Sequence, residues 1–426
     1  QGLSQPLRGV TTVPGDKSVS HRAIMLGALA SGRTIIEGFL PGADCLATIH
    51  CFRLMGVDIR QENSRVAVEG VGLRGLKSPD TVLDVGNSGT TIRLLMGILA
   101  GQHFAATLTG DASIRQRPMG RVAEPLRLMG ADIESDRAPV TVRPVHSLKG
   151  IHYQLPVASA QVKSALLLAG LYADGVTSVT ELAPSRDHTE IMLTACGVPI
   201  RRSGLTVAME SGHSLRGRTI MVPGDISSAA FLIVAALIVP DSDIILQGVG
   251  VNPTRTGIID VLQKMGGDIE VRTRTMQDAE AVADIRVRYS QLRGIEVAGD
   301  IIPRLIDEIP ALAVAAAFAS GETTIRDAAE LKVKESNRIA AMVNGLRAMG
   351  ADVGELEDGM SVRGGKPLTG VTLDSHNDHR IAMALAGAGL AAEGPTVVKG
   401  EECIPVSFPG FAETLQSLGT DAVMGV

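Results

Sequence analysis

Six wholly apolar runs, each followed by a Gly break, a β-rich stretch and an amphipathic run that itself closes on Gly, divide this chain into copies of one unit. The apolar runs are AIMLGALA (23–30), LLMGILA (94–100), ALLLAGL (165–171), AAFLIVAAL (229–237), ALAVAAAFA (311–319) and IAMALAGAGLA (381–391). The closing glycines are Gly56, Gly130, Gly197, Gly266, Gly350 and Gly419, spaced by 74, 67, 69, 84 and 69 residues. They stand in phrases such as LMGVDIR, LMGADIE, KMGGDIE and AMGADVG. A unit of about 70 residues is too long for common solenoid repeats and long enough for a βαβ-type module. Because the apolar runs are uniform all round, they are expected to be buried helices.

The phrase VPGDKSVSHRAIML at 13–26 returns as VPGDISSAAFLIV at 222–234, so the chain reads as two related halves of three units each. The expected domains are 14–223 and, together, 1–13 with 224–426. Hydrophobic residues are 45% of the chain but aromatics only 2%, with no Trp, so Ala, Val, Leu, Ile and Met must build the core. The apolar runs fall short of the ~20 residues a membrane helix needs. The start, QGLSQPLRG, lacks a signal-peptide pattern, and the missing Met suggests a trimmed or engineered terminus. Cys45 and Cys51 lie six apart, and Cys196 and Cys403 stand alone, which is neither a disulfide framework nor a CxxC metal pattern. A reducing, cytoplasmic setting is expected. A net charge of −6 with almost no aromatic faces argues against a nucleic-acid partner.

Basic residues must therefore act locally, and they gather where the apolar runs begin. Asp16, Lys17, Ser18 and Arg22 precede or open the first; Asn87-Ser88-Gly89-Thr90 and Arg93 the second; Ser159-Ala160-Gln161 and Lys163 the third. Asp225, Ser227 and Ser228 mark the fourth, Asp307-Glu308 the fifth and Asp378-His379-Arg380 the sixth. Ser, Asn and Asp at a helix start cap free N–H groups, which accounts for part of each cluster but not for the cations. A Lys or Arg there opposes the helix dipole by about 0.3–1 kcal/mol unless an anion lies between them. Arg115 and Arg117, Arg186, and Lys334 and Arg338 add further cations. Taken together they suit ligands carrying several negative charges. Asp307 reads equally as a cap and as a catalytic acid or base, and Glu335 sits where neighbouring cations hold its charge or relay a proton.

The phrases PGDKSVSHR, GNSGTTIR, GDASIRQRPMGR, SAQVKSALLLAGL, RDHTE, NPTRTG, VKESNR and NDHRIAMA occur in order, with an IDE-P-LAVAAAFA run between NPTRTG and VKESNR. Together they resemble the 5-enolpyruvylshikimate-3-phosphate synthase family, most of all its second, bacterial class. The resemblance implies a two-domain α/β fold. Each domain would hold three βαβαββ repeats around a pseudo-threefold axis, with buried parallel helices and the active site in the cleft between the domains. It implies transfer of the enolpyruvyl group of phosphoenolpyruvate to the 5-hydroxyl of shikimate 3-phosphate, by a monomer that needs no metal or organic cofactor and no nucleic-acid or membrane partner. It assigns Lys17, Ser18, Arg22, Ser159, Ala160, Gln161, Arg186, Asp307 and Lys334 to shikimate 3-phosphate. Lys17, Gly89, Arg117, Gln161, Arg338 and Arg380 fall to phosphoenolpyruvate, and Asp307, Glu335 and Lys17 to catalysis.

Three positions bear on subclass. Asn337 stands where Asp is usual in VKESNR, and Val406 where many first-class relatives carry Lys. Gly89 stands where some second-class members carry Ala, which leaves room for the phosphonate inhibitor glyphosate. The UDP-N-acetylglucosamine enolpyruvyl transferases share the repeat pattern, but their catalytic loop carries a Cys that GDASIRQRPMGR lacks. A non-catalytic repeat scaffold would place interchangeable polar residues at the six helix starts, whereas Lys17, Arg117, Glu335 and Arg380 differ from unit to unit. GVGLRG at 70–75 fits G-x-G-x-x-G but leads into LKSPDTVLD, so it reads as a chance match. HNDH at 376–379 lacks a third metal ligand nearby and reads as a helix start.

Overall fold

A computed structural model describes residues 5–277 and 280–423; part of the N-terminal stretch read above as trimmed, and the last residues of the second expected domain, lie outside the described residues. The chain forms two compact units. The first is Gly15–Val222; the second joins the described residues up to Pro14 to those from Pro223 onward.

In the first unit the helices are α1 (Lys17–Leu29), α2 (Ala43–Leu54), α3 (Gly89–Ala100), α4 (Ala112–Gln116), α5 (Gly120–Leu128), α6 (Ala160–Gly170) and α7 (His188–Ala195). The second unit contains α8 (Ile226–Ile238), α9 (Gly257–Lys264), α10 (Ile309–Phe318), α11 (Arg338–Ala348), α12 (His379–Leu390) and α13 (Phe411–Ser417). The six apolar runs form α1, α3, α6, α8, α10 and α12. Every residue of α8 is buried, and α10 exposes only Phe318 in part.

Among the described residues five of the six repeats build a small mixed sheet. In the first unit Leu83–Asp84 pairs in parallel with Ala106–Thr109, which pairs antiparallel with Val140–Arg143, and that strand pairs antiparallel with Asp132–Glu134. The parallel pair requires a crossover, and α3 supplies it. The strand order recurs in Thr219–Met221, Ser31–Glu37, Arg65–Val71, Asp58–Glu62, and in His152–Gln154, Val176–Thr180, Thr206–Glu210, Arg201–Ser203. The second unit repeats it in Arg8–Thr12, Asp243–Gly250, Glu280–Arg288, Asp268–Gln277, and in Glu296–Val297, Glu322–Ile325, Gly359–Arg363, Asp352–Leu356. Its last repeat is shorter, with only the parallel pair Thr372–Asp374 and Val397–Lys399 around α12 among the described residues. The outer strand of each unit's first sheet comes from a chain end of that unit: Arg8–Thr12 for the second, Thr219–Met221 for the first.

The amphipathic helices cover the sheets, and their closing glycines stop them. After α2, Gly56 adopts φ 87°, and Val57 N donates to Phe52 O, the bond that closes a helix when the next residue turns left-handed. Glycine meets that φ at no steric cost. The same turn follows α5, α7, α9, α11 and α13.

Each unit has its own apolar core, around α1, α3 and α6 in the first and around α8, α10 and α12 in the second. Within these triplets the helices pack directly on one another. At Gly97 of α3 a Cβ would lie 2.2 Å from Ala165 O of α6, so the approach is closer than any side chain allows. With the helices stacked this tightly on small residues, their N-termini and the polar residues there are fixed to the core.

Candidate active site

The caps expected at the helix starts are present at five of the six buried helices. Asp16 accepts from Val19 N (2.9 Å), Ser88 from Thr91 N (3.1 Å) and Ser159 from Val162 N (3.4 Å). Asp225 accepts from Ser227 N (2.8 Å) and Asp378 from Arg380 N (3.0 Å). Helix α10 has no side-chain cap. Asp307, read from sequence equally as cap or catalyst, lies in a 3-10 turn (Ile306–Glu308) just before α10 and makes charge contacts instead.

In the first unit the residues assigned by resemblance gather at the starts of α1, α3 and α6 and in the segment before α7. Lys17 Nζ lies 2.8 Å from Asp44 of α2. Arg22 donates from Nε to Thr189 Oγ1 (2.6 Å), from Nη2 to Ser164 Oγ (2.9 Å) and from Nη1 to Ser18 O (3.0 Å), which locks it across α1, α6 and α7. Arg186 Nη1 reaches Ser18 Oγ at 3.4 Å. Gln161 joins α6 to α3: its Nε2 donates to Thr90 Oγ1 (3.1 Å) and its Oε1 accepts from Arg93 Nη1 (2.6 Å). Ser159 and Ala160 sit at the cap and first residue of α6.

Gly89 is the first residue of α3, and a Cβ there would lie 3.0 Å from Arg117 Nη1 and 3.1 Å from Arg93 Nη1. Arg117 is buried and donates to Asn87 Oδ1 (2.6 Å) and Ser113 Oγ (3.1 Å), both neutral, while its buried Nε–H has no hydrogen-bond partner among the described residues. A buried guanidinium with a donor unspent and no ion pair to a carboxylate among the described residues is poised for an anion. Arg115, two residues earlier in α4, is exposed.

In the second unit Asp307, Lys334, Glu335, Arg338 and Arg380 come together. Arg338, 1% exposed, donates from Nε to Asp378 (2.8 Å), from Nη1 to Asp307 Oδ1 (3.1 Å) and from Nη2 to Glu335 (2.5 Å). Lys334 Nζ and Arg380 Nη2 each lie 3.9 Å from Asp307 carboxylate oxygens, and Arg380 Nη1 donates to the Asp307 carbonyl (3.1 Å). Burial alone would pull the Arg338 guanidinium down, but Asp378, Glu335 and Asp307 outweigh it and hold its pKa above the ordinary value. Burial likewise pushes Asp378 up, and Arg338 overrides it, so this carboxyl stays below its usual range. Asn337, the departure from the usual Asp, caps α11 by accepting from Ala340 N (3.2 Å), which either residue would do. Val406 lies in a 3-10 turn, Glu401–Val406.

Sequence reasoning missed several residues of these clusters. Asp44 stands in PGADCLATIH with no signal of its role, and only the fold brings it to Lys17. Arg93 was seen beside α3, but not that it would join Gln161 and approach Gly89. Asp378 reads as a cap, and it is one; its second task, holding Arg338, is invisible until α11 and α12 pack together. Lys163 was counted among the helix-start cations, but it is 1% exposed and pairs with Glu181 (2.7 Å) and Glu190 (2.8 Å) inside the unit.

The first unit thus offers helix N-termini beside Lys17, Arg22, Arg93, Arg117 and Arg186, an arrangement able to hold anions. The second offers two partly exposed carboxylates, Asp307 and Glu335, held among cations and so able to move protons.

Comparison with known proteins agrees with this chemistry. A family model described as EPSP synthase (3-phosphoshikimate 1-carboxyvinyltransferase) matches residues 3–415. The 3-phosphoshikimate 1-carboxyvinyltransferase of Pelotomaculum thermopropionicum is 60% identical over 426 residues, 99% of this chain and 98% of that protein. The enzyme of the same name from Brevibacillus brevis is 58% identical, covering 97% of both. A solved structure of EPSP synthase from Acinetobacter baumannii superposes with a TM-score of 0.88 at 49% identity, over 98% of this chain and 97% of that one. Likeness of this degree, along almost the whole length in both sequence and backbone, means that the chain belongs to the EPSP synthase family.

Proposed function

We propose that the chain transfers the enolpyruvyl group of phosphoenolpyruvate to the 5-hydroxyl of shikimate 3-phosphate, releasing phosphate. The observation that carries the reading is the cluster around Asp307, a partly exposed carboxylate flanked by Arg338, Lys334 and Arg380 in a chain 60% identical to a 3-phosphoshikimate 1-carboxyvinyltransferase. Asp307 takes the proton of the 5-hydroxyl as its oxygen attacks C2 of phosphoenolpyruvate. Glu335 or Lys17 delivers a proton to the methylene carbon, giving a tetrahedral ketal. Loss of phosphate and of one methyl proton then leaves the enol ether. Each well-placed proton transfer contributes about 10²–10⁴ in rate, and fixing two anionic substrates contributes several kcal/mol more.

Shikimate 3-phosphate is assigned to Lys17, Ser18, Arg22, Ser159, Ala160, Gln161, Arg186, Asp307 and Lys334. Phosphoenolpyruvate is assigned to Lys17, Gly89, Arg117, Gln161, Arg338 and Arg380. The spare donors of Arg117 beside the α3 N-terminus support its place in the second set. The two compact units, Gly15–Val222 and the described residues up to Pro14 with those from Pro223 onward, act as the domains of the enzyme. Membership of the second, bacterial class rests on the overall motif set and on Val406 in place of Lys. A cytoplasmic monomer with no nucleic-acid partner completes the reading. The net charge of −6 argues against a nucleic-acid partner, and no helix among the described residues is long and apolar enough to cross a membrane.

The test is phosphate release from phosphoenolpyruvate after chelation, with shikimate 3-phosphate or UDP-N-acetylglucosamine as acceptor. Release with shikimate 3-phosphate alone is expected. Release with the sugar nucleotide alone would move the chain to the other acceptor, and release with neither would overturn catalysis.

A further inference from the structure

We infer that Glu308 is a positioning residue for Asp307, an internal anion that fills the start of α8 and thereby fixes the acid beside it. This rests on the reading of Asp307 as the base in enolpyruvyl transfer. Glu308 is fully buried, and its Oε1 accepts a hydrogen bond from Ser227 Oγ in the first turn of α8. Arg255, 2% exposed, donates from Nη2 to the same hydroxyl (2.7 Å) and to Asp225 (3.1 Å), and lies 3.9 Å from the Glu308 carboxylate. A guanidinium, a seryl hydroxyl and free N–H groups at a helix start make an anion site. Here the anion is the chain's own.

Ser227 holds the place in VPGDIS that Ser18 holds in VPGDKS. Ser18 Oγ is met by Arg186 Nη1 at 3.4 Å, whereas Ser227 is committed to Glu308. Because Asp307 and Glu308 are neighbours in one 3-10 turn, anchoring the second carboxylate in the interior restrains the backbone of the first. From the other side Arg380 holds the Asp307 carbonyl (3.1 Å). With its peptide clamped on both sides, Asp307 is left little freedom to drift from Arg338. A misplacement of about 1 Å costs up to 10²-fold in rate, so such a clamp has a kinetic signature.

The experiment measures steady-state phosphate release and thermal melting for Glu308→Gln, Glu308→Ala and Ser227→Ala, and single-turnover release for Asp307→Asn with and without Glu308→Ala. Expected are a fall in kcat of about 10²-fold for Glu308→Ala and about tenfold for Glu308→Gln, whose amide oxygen still accepts from Ser227, with both KM values within about twofold. In the Asp307→Asn background Glu308→Ala should cost no more than about twofold further, since it acts only through the group already removed. If Glu308→Ala melts too low to assay, Ser227→Ala decides: kcat about threefold or more lower at unchanged KM supports the inference, and unchanged kcat overturns it. An unaltered kcat in folded Glu308→Ala, or losses that multiply in the double variant, would also overturn it. An inactive wild type would instead sink the functional reading, and this inference with it.

Discussion

Helices α1 and α8 open on the same Val-Pro-Gly-Asp and are capped by the same aspartate, Asp16 or Asp225, yet their first turns are finished differently. At α1 the phrase continues with Lys17, 14% exposed and paired to Asp44, and with Ser18 beside Arg186. At α8 it continues with Ile226, buried, and with Ser227 turned to Glu308 under Arg255. Both turns present free N–H groups that favour an anion. At α8 the seryl hydroxyl is taken by a buried carboxylate of the chain, whereas at α1 Ser18 stays beside Arg186 and the chain's carboxylate, Asp44, pairs with Lys17 instead. A repeated fold therefore need not make repeated sites: the backbone field is common to both, and which start takes a ligand depends on whether the chain has already supplied the anion.

The strongest way to break this comparison is at Arg338, which holds three carboxylates together in the second unit. Arg338→Met would leave Asp378 buried without its cation and should destabilise the protein by about 3–5 kcal/mol in denaturant unfolding, besides abolishing phosphate release. Arg338→Lys should recover stability in part and activity little, because an ammonium cannot bridge three acids in one plane.

The opening phrases are next. Lys17→Met should lower kcat/KM by roughly 10²–10³, with some loss of stability because the buried Asp44 loses its cation. The matching change, Ile226→Ala, should cost about 2–5 kcal/mol of stability and leave kcat within about threefold. Equal loss of activity in both variants would end the distinction between the two starts.

A third effect belongs to α1 alone, because His21 stands where α8 has Ala230. Burial lowers the His21 pKa to about 3, with Asp44 opposing and Lys17 and Arg22 reinforcing the shift. The folded state thus binds fewer protons than the unfolded chain between the ordinary histidine pKa and that value. Stability should be full above about pH 6.5 and fall by about 2 kcal/mol by pH 5. In His21→Ala that acid slope should flatten, as read from urea midpoints against pH.

The smallest change is at Gly89. A methyl there would press on Arg117 and Arg93 at 3.0 and 3.1 Å, so Gly89→Ala should raise KM for phosphoenolpyruvate about three- to tenfold. It should also weaken inhibition by glyphosate, which is expected to enter the wild-type pocket. Unchanged turnover of the wild type in a large excess of glyphosate would contradict this.

The architecture was readable in the sequence where physics acts locally. Helices apolar all round declare burial, and a Gly after LM or KM declares a left-handed stop, so the repeat frame follows from composition and spacing. The cations at helix starts were equally visible, because they defy the dipole. What stayed hidden were pairings across the fold. Asp44 meets Lys17 across 27 residues and Glu308 meets Ser227 across 81, and no periodicity links either pair. Lys163 read as one more helix-start cation, and Glu181 and Glu190 enclose it instead.

Titration calorimetry with shikimate 3-phosphate tests most directly whether one helix start is reserved and the other filled. One equivalent should bind per chain, binding should be lost in Lys17→Met and Arg22→Met, and Ser227→Ala should leave it unchanged. A second equivalent, or binding that fails in Ser227→Ala while surviving in Lys17→Met, would contradict the account.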